Sequence, residues 1–152
     1  MSWKKALAWT PLFSTELNAL ASGSIAYAST AWDNSATLDE VGFLSVDLAS
    51  VAPSATGPLL GIYLLPLNAD GSTYGDQGSG ILGTQSTTLP SFGYYYGSVK
   101  FNESTTAAVQ NGSTEFDRDL PPGKFAVGIA NLLGSALGAT GNTAQFSTNS
   151  PA

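Results

Sequence analysis

The chain has no histidine and no cysteine among its 152 residues, and this limits the chemistry that its side chains can perform. Ser-His-Asp triads, Cys-His dyads and zinc sites built from His or Cys are excluded. Three kinds of chemistry remain: catalysis by paired carboxylates, a Ser-Lys nucleophile, and calcium binding by oxygen ligands. The sequence offers candidate residues for each of them.

The closest group of carboxylates is the stretch EFDRD, which places Glu115, Asp117 and Asp119 at alternate positions. Alternate residues of a strand share one face, and glycosidases use two carboxylates. The same stretch also suits a solvated strand edge before the turn LPPG, which is the favoured interpretation. A Ser-Lys pair that uses Lys100 or Lys124 has no supporting pattern. The sequence therefore predicts a protein that is not an enzyme and needs no cofactor.

The stretch LNADGSTYGDQGSG, residues 67–80, contains the candidate calcium ligands Asp70 and Asp76, with Asn68 and Ser72 as weaker donors. Calcium binds about six to eight oxygen atoms, commonly from several carboxylates. The spacing departs from that of an EF-hand loop, which ends in a Glu. Asp-Gly after a strand also suits a tight turn, because both residues tolerate positive φ. The pattern favours a structural loop and no metal.

Aromatic side chains form two candidate binding groups. Tyr94, Tyr95 and Tyr96 could form a sugar-stacking platform, but they more simply straddle a strand, with some in the core and some at an interface. An arm at residues 1–13 carries two tryptophans, which it can bury by folding back or by docking on another subunit, and docking is favoured. The candidate partner-binding residues of the arm are Trp3, Lys4, Lys5, Trp9 and Phe13.

The rest of the sequence has the pattern of short strands separated by turns. In FLSVDLAS, apolar residues alternate with small or polar ones, which predicts a half-buried strand. The apolar phase changes upstream, and this predicts a bulge near Gly42. LLGIYLLPL is apolar on both faces, which predicts a strand covered on both sides by the domain or by another subunit. Further strands are predicted in FGYYYGSVKF, GKFAVGIAN and NTAQFSTN.

Little helix is expected. One short helical turn is predicted over TELNALA, with Ser14 as its N-cap and Gly23 ending it. Runs of Gly, Pro and Ser separate the predicted strands. The predicted fold class is all-β: an antiparallel β-sandwich of jelly-roll type, formed as a single domain by residues 14–152 and preceded by the arm at residues 1–13.

The chain is acidic and contains few charged residues. Charged residues make up 11% of the chain, against about 25% in typical soluble domains, so small and polar residues must cover the surface. Such a surface loses its hydration at little cost, which suits contact with neighbouring proteins. The net charge of −6 argues against nucleic acid and against an anionic membrane as partners. The start, MSWKKALAWTPLF, has too short an apolar run for a signal peptide.

Four stretches form one recognisable pattern: TELNALASGSIAYASTAWDN, VGFLSVDLAS, GPLLGIYLLPLNADGSTYGDQ and LPPGKFAVGIANLLGSALGATGNT. In this pattern the chain resembles small virion structural proteins of tailed bacteriophages. In that family a TELNSLA-like opening precedes a strand, and a strand ending in YLLP runs into a DG..Y.DG loop. The resemblance extends over about residues 15–145 and marks a β architecture and its loops, not a reaction.

The resemblance implies a decoration (cement) protein on the outer surface of the capsid, or less often a head-fibre or tail component. The partners that it implies are the major capsid protein and other copies of this chain, commonly as a homotrimer. The family offers no catalytic residue to carry over. Two alternatives stay open: a tail or fibre module that binds host carbohydrate through Tyr94–Tyr96, and a glycosidase that uses Glu115 and Asp117.

Overall fold

The computed structural model describes residues 8–150, and its regular structure is almost entirely β-strand. One short 3-10 helix, Phe92–Tyr94, lies directly before the ninth strand. The strands are β1 (Thr10–Phe13), β2 (Ile25–Tyr27), β3 (Trp32–Asp33), β4 (Val41–Val51), β5 (Leu59–Pro66), β6 (Thr73–Tyr74), β7 (Gln77–Ser79), β8 (Gln85–Ser86), β9 (Tyr95–Lys100), β10 (Ala108–Glu115), β11 (Lys124–Leu132) and β12 (Thr143–Asn149).

The strands form two antiparallel sheets packed into a sandwich. The first sheet has the order β1–β12–β4–β10, and the second has the order β8–β2–β11–β5–β9, with β3 paired to the start of β11. The hairpin β6–β7 stands apart from both sheets. Buried side chains from both sheets form one continuous core between them. The prediction of an all-β antiparallel sandwich is confirmed, and its jelly-roll type stays a prediction.

The alternation in FLSVDLAS predicted a half-buried strand, and β4 confirms this prediction. Gly42 is buried and continues the inward phase of this strand, and β12 pairs with β4 without a register shift. The predicted bulge near Gly42 is therefore wrong. The apolar residue that suggested a change of phase, Phe43, lies half-buried on the outer face of the sheet. The fully buried inward side chains are Leu44, Val46 and Leu48.

Strand β5 is buried on both faces, as predicted, and the cover on both sides comes from within the domain. Leu60, Ile62 and Leu64 face the main core between the sheets. Tyr63 and Leu65 face a second apolar cluster on the outside of the second sheet. We call residues 67–94 the covering segment, because its apolar side chains pack on that cluster: Tyr74, Ile81, Leu82, Leu89 and Tyr94.

Small residues on the outer face of β11 leave room for large side chains of the neighbouring strands. An added Cβ at Gly128 would lie 2.8 Å from Ile25 Cδ1 and 3.0 Å from Tyr27 Cε1. Ala126 and Ala130 belong to the same cluster and are fully buried. The stretch GKFAVGIAN therefore alternates between large and small residues because both of its faces are covered.

The region predicted as an arm contains the first strand of the sandwich. β1 pairs with β12, and Phe13 is 1% exposed within the main core. The predicted boundary between residues 13 and 14 thus falls where a strand of the sheet continues into its connecting turn, and the chain from Thr10 onward is part of the sandwich. Trp3, Lys4 and Lys5 lie outside the described residues.

Residues 15–21 form hydrogen-bonded turns where one helical turn was predicted. The backbone N–H groups of Asn18 and Leu20 each donate to the carbonyl three residues earlier, at 3.0 and 3.2 Å. Between them Ala19 has a φ of 56°, which interrupts a right-handed helix. The expected N-cap, Ser14, donates its backbone N–H to Glu16 Oε2 at 2.8 Å.

Gly42→Ala should destabilise the fold, because an added Cβ would lie 2.6 Å from Phe116 Cδ2 and 2.8 Å from Leu120 Cδ2. Overpacking of this kind costs about 1–3 kcal/mol of unfolding free energy, measurable by urea denaturation. The matched control is Gly78→Ala, also in a strand, where an added Cβ meets nothing within 4 Å. The control should change stability by less than about 0.5 kcal/mol, and equal effects of the two substitutions would contradict this packing.

Candidate interaction surface

Asp70 closes the turn that leads from β5 into the hairpin β6–β7. Its Oδ1 accepts hydrogen bonds from the backbone N–H groups of Ser72 at 2.8 Å and Thr73 at 2.9 Å, and its Oδ2 accepts one from the Thr73 hydroxyl at 2.6 Å. These bonds, led by that of the Thr73 hydroxyl, lower the pKa of Asp70 to about 2. The side-chain amide of Asn68 donates to Thr73 Oγ1 and to the carbonyl of Gly75, both at 2.9 Å.

Asp76 ties the hairpin to the far end of the covering segment. Its Oδ2 accepts hydrogen bonds from the backbone N–H of Ser91 at 2.9 Å and from the Ser91 hydroxyl at 2.5 Å, and its Oδ1 accepts one from the Gln77 side chain. The carboxylates of both candidate calcium ligands, Asp70 and Asp76, thus accept hydrogen bonds from other residues of the covering segment. Across residues 8–150, no three or more Asp or Glu residues are grouped so that they could hold a metal ion.

The tyrosines predicted as a platform point in different directions. Tyr96 is 7% exposed and belongs to the main core, whereas Tyr94 and Tyr95 are half-buried against the second cluster. Phe92, which the sequence analysis did not single out, is 77% exposed. Its ring stacks on Tyr95 with centroids 5.0 Å apart and planes 12° apart, and Tyr95 meets Tyr63 of β5 edge to face at 5.6 Å. We call Phe92, Tyr94 and Tyr95 the aromatic surface.

Arg118 fixes the backbone that carries the aromatic surface. Its Nη1 donates to the carbonyl of Gly93 at 2.5 Å and to that of Tyr95 at 3.3 Å. Its guanidinium carbon lies 4.3 Å from the ring centroid of Tyr96, within cation–π distance. Because one side chain contacts the 3-10 helix, β9 and a core tyrosine, the exposed ring of Phe92 stands on a backbone tied to the main core.

The carboxylates of EFDRD do not share one strand face. β10 ends at Glu115, Phe116 turns into the core, and the backbone N–H of Asp117 donates to the carbonyl of Tyr96 in β9 at 2.8 Å. The alternation is broken because the chain leaves the first sheet there. The other residues considered for catalysis are exposed and belong to separate elements: Lys100, Asp119 and Lys124.

A cleft between β9 and β10 brings two of these candidates together. Its volume is about 310 Å³, and Lys100 and Asp117 line it with Ser98, Ser113 and Thr114. No hydrogen bond joins Lys100 to either serine in the described part of the chain. The cleft therefore adds no support for a Ser-Lys nucleophile.

The two described aromatic residues of the predicted arm, Trp9 and Phe13, differ in their exposure to solvent. Trp9 is 38% exposed and so remains available for contact with a partner. Phe13 fills the main core and has no surface to offer, so its predicted contact role is replaced by a packing role. The reason is that Phe13 lies on a strand of the sheet, which the sequence analysis did not predict.

The outer face of the first sheet is polar but carries few charges. The register places residues of β10, β4 and β12 side by side across this face. Asp47 and Glu115 carry its charges, and its larger apolar side chains are Val41, Phe43 and Val109, of which Val109 is 65% exposed. The polar uncharged side chains that remain accessible are Ser45, Asn111, Ser113, Thr143 and Gln145.

Comparison of the chain with protein-family models, with curated proteins and with solved structures found no match. Among residues 8–150, no helix has both the length and the apolar character needed to cross a bilayer. The described residues thus form a β-sandwich that presents an exposed, stacked aromatic ring and a face of low charge.

Asp70→Asn should lower the melting temperature at neutral pH. The folded-state pKa of Asp70, about 2, lies below its ordinary value of 3.8. Ionised Asp70 therefore stabilises the fold above about pH 4, and this contribution is lost as the pH falls towards 2. The difference in melting temperature between the variant and the wild type should close over that interval, as followed by circular dichroism.

The control for the Asp70 experiment is Asp119→Asn, which removes another exposed carboxylate. This change should leave the melting temperature unaltered at neutral pH. A deficit in Asp70→Asn that stays constant from pH 7 to pH 2 would contradict a role for the ionised carboxylate.

Proposed function

We propose that this protein is a non-enzymatic virion structural protein. It decorates the outer surface of a tailed-bacteriophage capsid, where it binds the major capsid protein and neighbouring copies of itself and stabilises the shell. Support comes first from the sequence motifs over about residues 15–145 that resemble such proteins. The structural observation that carries the proposal furthest is the exposed ring of Phe92, stacked on Tyr95 and fixed by Arg118.

A fixed, exposed aromatic ring is suited to anchor a protein–protein contact. Trp, Tyr and Arg are enriched among the few interface residues that carry most of the binding free energy, and Phe is enriched with them at the centres of interfaces. Phe92 is held by its stack on Tyr95, so docking costs little further conformational entropy. Its large exposed area is also available for burial by a partner. These properties support a role for the aromatic surface in contacting the shell.

The distribution of charge supports the same role. With five basic and 11 acidic residues in the chain, most of the surface is uncharged, and burying it against a neighbour avoids the high cost of desolvating ions. An acidic protein is also suited to the outside of the shell, away from packaged DNA. Binding that exists only in the assembled state stabilises that state by mass action. The arrangement of copies that we propose is a homotrimer around a local symmetry axis.

Phe92→Ala should weaken binding to capsids by about tenfold or more in Kd, because truncation of an anchor residue typically costs at least about 2 kcal/mol. The variant is titrated onto capsids that lack the protein, and the bound copies are counted after sedimentation. Leu38→Ala is the matched control, since Leu38 is also exposed, at 60%, on a different loop. Equal losses for the two variants, or no loss for Phe92→Ala, would remove the aromatic surface from the proposal.

Removal of residues 1–7 should also lower capsid occupancy, because the predicted contact residues Trp3, Lys4 and Lys5 are lost. The deletion stops before Thr10, since β1 is part of the first sheet. Lys100→Ala serves as a comparison for the general loss of positive charge, and it should leave occupancy unchanged. Full occupancy after the deletion would remove these three residues from the proposal and leave Trp9 as the contact residue of the arm.

A second candidate function is a tail or head-fibre module that binds host surface carbohydrate. The flat stack of Phe92 on Tyr95 favours it, because sugar rings pack against exposed aromatic faces. Tyr96 is buried, so such a platform consists of the aromatic surface and not of Tyr94–Tyr96. The Phe92→Ala protein separates the two functions: loss of binding to cell-wall polysaccharide with unchanged capsid binding would favour the carbohydrate module.

A further inference from the structure

Most strands at the edges of the two sheets carry features that hinder pairing with another strand. β1 has four residues, contains Pro11 and shows a register shift. β3 and β8 have two residues each. β9 shows a register shift against β5, has Gly97 at a φ of 142° and ends at Lys100. The remaining edge strand is β10.

β10 has a register shift at its start, between Ala108 and Gln110, and lacks these protective features from Gln110 onward. Its eight residues, AVQNGSTE, contain no Pro, Lys or Arg, and its one charged side chain, Glu115, is at its end. Its register with β4 is regular from Gln110 to Glu115. Alternate residues of an antiparallel strand direct their N–H and C=O groups away from the partner. Apart from their pairing with β4, residues 108–115 make no backbone–backbone hydrogen bond to another described residue. About half of the N–H and C=O groups of β10 therefore face an open edge.

The side chains of β10 are also incompletely covered. Gln110, Gly112 and Thr114 face the other sheet but are only half-buried. On β12, an interior strand of the same sheet, the inward residues Ala144 and Phe146 are fully buried. The cleft of about 310 Å³ between β9 and β10 lies along this opening. The edge thus has both unpaired backbone groups and partly open side-chain packing.

We propose that β10 pairs antiparallel with β10 of a second copy of this chain. The two four-stranded first sheets then join into one continuous sheet across a two-fold axis. The charge pattern favours a second copy as the occupant. Antiparallel pairing places the two Glu115 carboxylates at opposite ends of the contact, and the uncharged residues 110–114 meet at its centre, so no like charges face each other.

The pairing is independent of the capsid assignment, because it follows from the edge strand alone. It joins copies two at a time, so trimers on a shell would be linked to neighbouring trimers through β10. Such a link would add backbone hydrogen bonds between copies to the contact that the aromatic surface makes.

Single cysteines test the pairing directly, because the chain has no cysteine of its own. In Ser113→Cys the new thiol is exposed near the centre of β10 and close to its symmetry mate. A short bis-maleimide reagent should convert this variant into a covalent species of twice the chain mass of 15.6 kDa. Ser45→Cys is the matched control: Ser45 lies directly opposite Ser113, one strand further from the edge, and should stay uncross-linked.

Ser113→Lys tests the same contact without a reagent, because a lysine near the centre of an edge strand opposes pairing and two of them repel. We expect the Kd for association, measured by sedimentation equilibrium, to rise at least about tenfold, while Ser45→Lys changes it little. Circular dichroism checks that both variants fold.

Three results would overturn the pairing: a wild-type protein that stays monomeric up to millimolar concentration, equal cross-linking of the two cysteine variants, or equal association of the two lysine variants. Capsid occupancy is measured separately. If β10 pairing is lost while capsid binding is normal, the proposed function still stands. If capsid binding is absent while the copies still pair, the β10 pairing still stands.

Discussion

The second sheet is apolar on both faces, and the need to cover both of them shapes the rest of the molecule. Alternation in β5 directs Leu64 into the main core and Leu65 to the outside, so a single sandwich interface cannot bury this strand. The covering segment supplies the missing layer, and Asp76 ties the hairpin in this segment to its far end through Ser91. The aromatic surface lies where this segment rejoins the sheet, so the same covering layer that completes the second core also sets the position of Phe92.

The few charged side chains described in detail make their hydrogen bonds within the chain. Asp70 and Asp76 accept hydrogen bonds of the covering segment, and Arg118 donates to backbone carbonyls beneath the exposed ring. These charged groups therefore fix the local backbone conformation. Broad areas of the surface, such as the outer face of the first sheet, carry few charges. Recognition by such a surface depends on shape and on apolar or backbone contacts more than on ion pairs.

The sequence predicted the strands whose pattern is set by local alternation, and it failed where distant contacts decide. β4, β5 and β12 follow from their side-chain period. Phe43 suggested a bulge because its half-buried position on the outer face was not foreseen, and Phe13 was assigned to an arm because its pairing partner lies more than a hundred residues later. Phe92 was missed for the same reason: nothing local separates an exposed phenylalanine from a buried one, and its exposure follows from the covering segment.

The placement of β12 between β1 and β4 has a consequence for the order of folding. β1 is made first among the described strands, yet the strand that it pairs with, Thr143–Asn149, is made last. The first sheet therefore cannot be completed until residues 143–149 have been made, and until then Phe13 lacks the strand that holds it in the core. Late closure of this kind slows folding and prolongs the time during which a nascent chain benefits from chaperones.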